Sequence, residues 1–274
     1  MKKIPIKKNI DPTDENVLVF SDAIKTLASL PENSIDHCIT DPPYNISGYD
    51  GKKKIGWLQS NKYWTDDKSF SKIDAAWDKF SDNDYDKFTR DWLSEIIRVV
   101  KPNGNIIIFG SYHNIYTIGS ILQNFDRKII NSIVWYKRNA FPNVTQRMLC
   151  ESTEHIIWSV NETQKKAKNW TFNYKDLKKI NGDLQMRNMW DIPSTPPSEK
   201  KHGKHPSQKP IEVISRLVIG ATKPTELIID PFMGSGTLPV VAQRLDRKFI
   251  GIDMDDNFCK IAQKRLNEDK ATLF

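Results

Sequence analysis

Seven short runs of apolar and β-branched residues recur along the chain, and they constrain the fold more than any other feature. Several are almost continuously apolar rather than alternating, which is typical of strands buried on both faces of a mostly parallel sheet. We therefore predict a seven-stranded sheet with helices on both sides. The runs are VLVF (17–20), SIDHCIT (34–40), NIIIFG (105–110), SIVWYK (132–137), HIIWSV (155–160), ELIID (226–230) and KFIGID (248–253).

Helical patterns separate these runs. YDKFTRDWLSEIIRVV places Phe88, Trp92, Ile96 and Val99 on one stripe, and the KPNG that follows predicts the end of that helix. IEVISRLVIGAT, LPVVAQRL and DNFCKIAQKRLNE predict three more helices. The alternation of strand and helix predicts an α/β fold with a doubly wound, Rossmann-like sheet.

Composition narrows the class of protein. The 274 residues suit one sizeable domain, and the net charge of +7 is typical of a partner of a polyanion such as nucleic acid. No apolar run reaches the roughly 18 residues of a membrane span, and no apolar stretch follows the first lysines as in a secretory signal. We therefore expect no membrane association.

The three cysteines are Cys38, Cys150 and Cys259. Because they are widely scattered, they fit a reducing cytoplasm and buried thiols. No cysteine or histidine has the spacing of zinc ligands, so we expect no metal.

Two long stretches interrupt the alternation. Residues 45–79 contain three glycines, a lysine triplet and several aromatic residues, and we expect this segment to be mobile. Residues 161–204 carry ten Lys/Arg and five Asp/Glu together with four aromatic residues. Such long connections in a compact domain are usually functional, and this aromatic content is unlike that of plain disorder.

Asp41-Pro42-Pro43-Tyr44 directly follows the second run, so we expect it at the carboxyl end of a strand, where open α/β sheets bind ligands. The Asp41 carboxylate and the Pro42 carbonyl can each accept one hydrogen of an exocyclic amino group. Tyr44 offers an aromatic face to a base that has left its helix. The same four residues also fit a rigid strand-to-helix turn.

A second motif, Asp230-Pro-Phe-Met-Gly-Ser-Gly-Thr237, ends one strand and opens a helix. Its glycines let a ligand approach the backbone closely, and Asp253 ends the next strand, where an acidic residue can bind ribose hydroxyls. The motif is neither GxGxxG nor a P-loop, so the site need not hold phosphate. An adenosine with a charged sulfonium tail suits an acidic pocket.

Together these motifs resemble the bacterial DNA methyltransferases that methylate amino groups, in the β arrangement. There the Asp-Pro-Pro-Tyr segment precedes the target-recognition region, and the cofactor motif comes last. The resemblance extends over nearly the whole chain, including VLVFSDAIKTL, VWYKRNAFPN and the stretch from LQMRNMWDIP to HPSQKP. It implies an adenine-N6 methyltransferase of a restriction–modification system that uses S-adenosylmethionine, with DNA, a second copy of itself and a restriction endonuclease acting on the same site as partners.

The resemblance also implies roles for individual residues. Catalysis falls to Asp41, Pro42, Pro43 and Tyr44. Cofactor contacts fall to Asp22, Asp41, Ser207, Lys209, Asp230, Phe232, Gly234 and Asp253, the last standing where many relatives have Glu.

Three regions of the chain are assigned on the same basis. Residues 1–160 form the catalytic half of the methyltransferase domain, 161–204 the inserted target-recognition region, and 205–274 the cofactor-binding half. Lysines in the basic stretches would position DNA phosphates, and polar side chains would read bases. The candidate DNA contacts are Lys52, Lys53, Lys54, Gln185, Arg187 and Asn188.

Three alternatives remain open. The first is an N4-cytosine DNA methyltransferase on the same scaffold, since Asp before Pro-Pro-Tyr goes mostly but not strictly with adenine in the resembling family. The second is a nucleic-acid-binding protein with a vestigial methyltransferase fold. The third is an RNA or protein amide methyltransferase, which the order of the two motifs disfavours.

Overall fold

A computed structural model describes residues 4–45, 78, 80–140, 142–143, 147–203 and 205–268. Its centre is a nine-stranded sheet in the order β1-β2-β9-β8-β3-β4-β6-β5-β7. The strands are β1 (Ile6–Lys7), β2 (Val17–Phe20), β3 (His37–Thr40), β4 (Asn105–Gly110), β5 (Lys128–Tyr136), β6 (Thr153–Val160), β7 (Met189–Asp191), β8 (Leu227–Asp230) and β9 (Lys248–Asp253).

All seven predicted strands are present, and two more, β1 and β7, extend the sheet at its edges. These two have only two and three residues, too few to produce a recognisable pattern in the sequence. Every neighbouring pair is parallel except those that involve β6, which is antiparallel to both β4 and β5. β6 therefore begins at the edge where β3, β4 and β5 end.

Helices cover both faces of the sheet. Successive residues of a buried strand point to opposite faces, and each face needs its own apolar cover. The helices are α1 (Ala23–Ala28), α2 (Asp82–Val99), α3 (Ile115–Asn124), α4 (Tyr174–Ile180), α5 (Ile211–Ala221), α6 (Thr237–Arg244) and α7 (Asp256–Glu268). In β4, Ile106 and Ile108 pack in the core with α1–α3, whereas Ile107 and Phe109 pack with α5–α7.

Helix α2 shows how the sequence pattern becomes structure. The Ser81 hydroxyl caps its first turn by accepting a hydrogen bond from the Asp84 amide. Trp92, Ile96 and Val99 of the predicted stripe are fully buried against the sheet. Burial of each such side chain contributes about 1.5–3 kcal/mol, so this face fixes α2 on the sheet.

The stretch 161–203 is built into the same sheet. Helix α4 packs on α5, β7 pairs with β5, and Trp190 is buried in the core. Its remaining residues include a short 3-10 helix, Pro197–Lys200. Within the described residues, no helix is both long and apolar enough to cross a bilayer.

The first and last described residues meet on one side of the molecule. The Ile4 amide donates to the Asn267 side chain at 3.3 Å, and the Gln263 amide donates to the Ile4 carbonyl at 2.6 Å. Two of the three cysteines, Cys38 and Cys259, are buried as expected. Cys150 is exposed, contrary to expectation, because it lies in the connection between β5 and β6.

Candidate active site

The Asp41–Tyr44 loop and the glycine motif that begins at Asp230 meet between β3 and β8, where the order of strands in the sheet changes direction. From β8 the chain crosses to β9 on one side, and from β3 it crosses to β4 on the other. Such a switch point leaves a crevice beyond the carboxyl ends of its two central strands, and ligands bind there in open α/β sheets. Asp230 ends β8 and Asp41 follows β3, and Thr40 ties the two strands through a 2.7 Å hydrogen bond to the Asp230 carboxylate.

Asp41 is held by two donors. The Tyr44 hydroxyl donates to its Oδ1 at 2.6 Å, and the Lys209 ammonium pairs with its Oδ2. The Lys209 side chain is buried and also lies 5.3 Å from the centre of the Tyr44 ring, as a cation over an aromatic face. Lys209, which the resemblance places beside the methionine part of the cofactor, therefore lies against the catalytic loop.

Hydrogen bonds from neighbouring segments fix the backbone of the Asp41–Tyr44 loop and of Asn45, which follows it. The Tyr85 hydroxyl donates to the Pro43 carbonyl at 2.8 Å, and the Asn114 amide in turn donates to that hydroxyl at 3.0 Å. The backbone amide of Asn45, a residue with a positive φ of 57°, donates to the Asp78 carboxylate at 2.6 Å. These contacts engage the carbonyl of Pro43 and not that of Pro42, the carbonyl predicted to accept from a base.

Glu154 and Lys137 complete a buried charge network that the sequence did not reveal. Glu154 is the second residue of β6, and its Oε2 lies 3.3 Å from both the Lys209 ammonium and the Tyr44 hydroxyl. Lys137, just after β5, approaches its Oε1 at 3.2 Å. Two carboxylates thus face two ammonium groups, and the network is electrically balanced.

Burial and charge shift the pKa values in opposite ways within this network. Burial, reinforced by the Glu154 carboxylate, raises the pKa of Asp41 above its ordinary value. Burial by itself would also raise the pKa of Glu154, but Lys209 and Lys137 outweigh it and hold that pKa below its usual value. Burial would lower the pKa of Lys209, yet the two carboxylates hold it above its usual value.

The glycine motif forms the other half of the site. Asp230 accepts from Thr40 and from the Phe232 amide through the same oxygen, Oδ1, and it lines the crevice. Asp253 accepts from the Gly234 amide at 2.9 Å and from the Asp255 amide at 2.8 Å. Burial raises the pKa of both Asp230 and Asp253 to about 7, so a ligand that donates hydrogen bonds or carries positive charge stabilises their ionised forms.

His205 closes one side of the glycine motif. Its ring lies against Gly234, where a Cβ atom would come within 2.9 Å of Nε2, and the φ of +51° also favours glycine. Burial, with Lys209 nearby, lowers the pKa of His205 to about 4, so the imidazole is neutral at pH 7. The ring also packs edge-on against Phe258 of α7.

One cavity of about 360 Å³ joins the two halves. Its apolar wall, which includes Ile24, Phe232, Met254 and Phe258, suits a flat adenine ring, and its acidic groups suit a ribose and a cationic tail. The catalytic and cofactor residues predicted from the sequence all line it: Asp22, Asp41, Pro42, Pro43, Tyr44, Ser207, Lys209, Asp230, Phe232, Gly234 and Asp253.

The candidate DNA contacts lie elsewhere. Gln185, Arg187 and Asn188 are exposed in the connection between α4 and β7, outside this cavity. The Asn188 amide donates to the Ser132 carbonyl at 2.8 Å, so it has a structural role at the edge of the sheet. Lys52, Lys53 and Lys54, with most of segment 45–79, lie outside the described residues.

A family model described as DNA methylase, of N6 and N4 methyltransferases, matches residues 35–264. The chain belongs to this family. Two relatives are each 40% identical to this DNA methylase. Type II methyltransferase M2.LlaDCHI of Lactococcus lactis subsp. cremoris matches over 92% of this chain and 89% of the relative. Type II methyltransferase M2.DpnII of Streptococcus pneumoniae matches over 93% of this chain and 91% of the relative. The solved M1.HpyAVI–SAM complex matches with a TM-score of 0.64 at 26% identity, covering 91% of this chain and 98% of that one.

Membership of the DNA methylase family confirms the resemblance drawn from the motifs, and the doubly wound sheet confirms the predicted fold class. The family name joins N6 and N4 enzymes, so membership alone leaves the target base undecided. Glu154, Lys137, Tyr85 and His205 are the site residues that sequence reasoning missed. His205 stands two positions before Ser207, and that proximity was the one pattern that pointed to it.

Proposed function

We propose that this DNA methylase transfers a methyl group from S-adenosylmethionine to the exocyclic N6 of adenine in DNA, as the modification enzyme of a restriction–modification system. The observation that carries the proposal is the single cavity in which the Asp41–Tyr44 loop faces Asp230 and Asp253. Asp230 and Asp253 would hold S-adenosylmethionine, which when bound would supply an electrophilic methyl group on its sulfonium sulfur, with a neutral thioether as the leaving group. The M1.HpyAVI structure, by its title a complex with SAM, supports the choice of cofactor.

The residues of the catalytic loop position the nucleophile. A base that has left the duplex stacks on Tyr44, and its amino hydrogens are accepted by the Asp41 carboxylate and the Pro42 carbonyl. These two acceptors stabilise positive charge as it develops on the nitrogen, and most of the acceleration comes from this and from alignment with the methyl group. The proton released from the nitrogen passes to Asp41 or to water.

The target base is tested directly. Plasmid DNA methylated by the purified protein is digested to nucleosides for mass spectrometry, and a second sample is sequenced by a modification-sensitive method. We expect N6-methyladenine at one short recurring sequence. N4-methylcytosine would support the alternative that the family name allows, and unmodified DNA from protein that still binds the cofactor would support the vestigial binding protein.

Replacing Asp41 tests the catalytic assignment. In Asp41→Ala, we expect turnover to fall by at least about 1,000-fold, because the acceptor for the amino group is gone. Cofactor affinity should stay within a few fold, since Asp230 and Asp253 are intact. Calorimetry with S-adenosylmethionine and single-turnover methylation measure the two quantities, and substantial turnover in this variant would contradict the role of Asp41.

DNA contacts by the exposed connection before β7 form a separate part of the proposal. Arg187→Ala should raise the KM for DNA about threefold to tenfold with kcat unchanged, and it should reduce the slope of affinity against salt by about one. Asp183→Ala, in the same connection, is the matched control and should change neither quantity in that direction. An unchanged KM for DNA in Arg187→Ala would contradict the assignment of Arg187 as a DNA contact.

The wider context follows from the same activity. We propose that 161–204 acts as the target-recognition region, that the protein acts in the cytoplasm, and that it serves beside a restriction endonuclease directed at the same site. The type II relatives support this context. We further propose a homodimer, which sedimentation of the purified protein with and without DNA tests.

A further inference from the structure

Each oxygen of the Asp41 carboxylate already accepts one hydrogen bond in the absence of a base. Tyr44 donates to one oxygen at 2.6 Å, and Lys209 pairs with the other. An amino group that donates to Asp41 has to share this carboxylate with the Lys209 ammonium, a charged donor. A second buried acceptor for that ammonium would let Asp41 turn to the amino group.

Glu154 shares both of these donors with Asp41. Its Oε2 lies 3.3 Å from the Lys209 ammonium and 3.3 Å from the Tyr44 hydroxyl. The Tyr44 hydroxyl has a single proton, so only one of the two carboxylates receives it at a time. Lys209 has three protons, and its three acceptors are Asp41, Glu154 and the Ser207 carbonyl.

Charge favours a shift of the Lys209 ammonium from Asp41 toward Glu154 during methyl transfer. The target nitrogen becomes cationic as it is methylated, and an ammonium bridged to Asp41 beside it would oppose that charge. The Lys209 side chain is 6% exposed and that of Glu154 15%, so neither charge can simply turn into solvent. A buried ammonium is tolerated only when it is paired.

We propose that Glu154 is a positioning residue that retains the Lys209 ammonium while Asp41 turns its carboxylate to the amino group of the target base. Lys137 holds Glu154 in place from the other side, through the 3.2 Å contact with Oε1. The low pKa of Glu154 keeps it ionised for this task. The inference rests on the proposed transfer to an exocyclic amino nitrogen.

The test is Glu154→Gln, which keeps the shape of the side chain and removes its charge. With no competing carboxylate, Lys209 stays on Asp41. We expect kcat to fall about 30- to 100-fold, the KM for DNA to rise by no more than about tenfold, and the affinity for S-adenosylmethionine to stay within about threefold. A kcat within about twofold of wild type would overturn the proposal.

Loss of folding is separated from loss of positioning by a second variant. Glu154→Gln leaves Lys137 buried without its carboxylate, so its Tm should fall. Glu154→Gln/Lys137→Met removes that unpaired charge and should recover Tm, while kcat stays low because Lys209 still holds Asp41. Recovery of wild-type kcat in the double variant would show that Glu154 serves only to neutralise Lys137, and the proposal would be wrong.

A binding measurement reports on Asp41 without turnover. Duplexes carry adenine or purine, which lacks the amino group, at the target position, and their affinities are compared with S-adenosylhomocysteine present. Wild type should prefer adenine by about fivefold or more, and Glu154→Gln should show little preference. Equal preferences in both proteins would contradict the inference, whereas failure of the wild type to methylate any DNA would instead contradict the proposed function.

Discussion

At the scale of single residues, the buried Asp230 carboxylate of the cavity lowers the free energy of unfolding when it is ionised. Asp230 is 6% exposed, and burial, reinforced by Asp41 and Asp253, raises its pKa to about 7 from an ordinary value of 3.8. The folded protein therefore holds this proton up to near pH 7, whereas the unfolded chain releases it near pH 4. Because the folded state binds more protons in between, stability falls as the pH rises through this window.

Asp230→Asn should remove the loss of stability that ionisation of Asp230 causes as the pH rises. Asparagine stays neutral and keeps an oxygen that can accept from Thr40 and Phe232. We expect the gain in unfolding free energy to be larger at pH 8 than at pH 5 by at least about 1.4 kcal/mol, the equivalent of one pKa unit, with cofactor affinity reduced about tenfold or more. Urea unfolding at the two pH values and calorimetry measure these effects, and an equal loss of stability at both pH values would contradict the assignment.

At the scale of elements, the contact between α6 and α7 depends on a glycine. Gly236 has a φ of +77°, and a Cβ atom there would lie 2.5 Å from the Cβ of Ala262 on α7. The cofactor motif and α7 can approach this closely only because the side chain is absent. The Arg265 guanidinium fixes the same contact by donating to the Ser235 carbonyl at 2.8 Å.

Gly236→Ala should therefore lose about 2–4 kcal/mol of unfolding free energy, from the left-handed backbone and from overpacking together. Gly182→Ala is the matched control, because Gly182 has a φ of +64° with no atom within 4 Å of the added Cβ, and it should lose only about 1 kcal/mol. Adding Ala262→Gly to Gly236→Ala should recover part of the difference. Urea denaturation measures all four proteins, and equal losses at Gly236 and Gly182 would exclude the packing argument.

The sequence predicted elements well where burial on both faces produced a long apolar run. β4 and β9 have the same limits in the sequence pattern and in the structure. β5 begins at Lys128, four residues before its predicted start, because its first half is partly exposed and carries polar residues. The direction of a strand was harder to predict than its position, because an antiparallel β6 and a parallel β6 would have the same apolar pattern.

At the scale of the whole molecule, the same limitation explains which parts of the site were found. Asp41, Asp230 and Asp253 follow strands of one direction, so their convergence at one edge of the sheet could be predicted from chain order. Glu154 lies near the start of β6, and it reaches the same edge of the sheet only because β6 is antiparallel to β4 and β5. Lys209 was identified by resemblance, but its ion pair with Asp41 depends on the packing of two distant segments.

The meeting of Ile4 with Gln263 and Asn267 leads to a prediction for the molecule as a whole. A variant in which a short linker joins Glu268 to Ile4 and the chain is opened between Gly182 and Asp183 should fold and retain kcat within about tenfold, because Glu268 and the new opening lie at exposed positions. Opening between Ile228 and Ile229, both fully buried in β8, is the control and should prevent folding. Circular dichroism and methylation of plasmid DNA distinguish the outcomes, and an unfolded first variant would contradict the prediction.

In that variant the glycine motif comes first and the Asp-Pro-Pro-Tyr loop last, although no contact in the crevice has changed. The two motifs therefore have a fixed arrangement in space that does not depend on which of them comes first in the chain. An enzyme that carried them in the opposite order would be expected to share this crevice, because opening the chain in an exposed turn changes the order of the motifs in the gene without altering the chemistry.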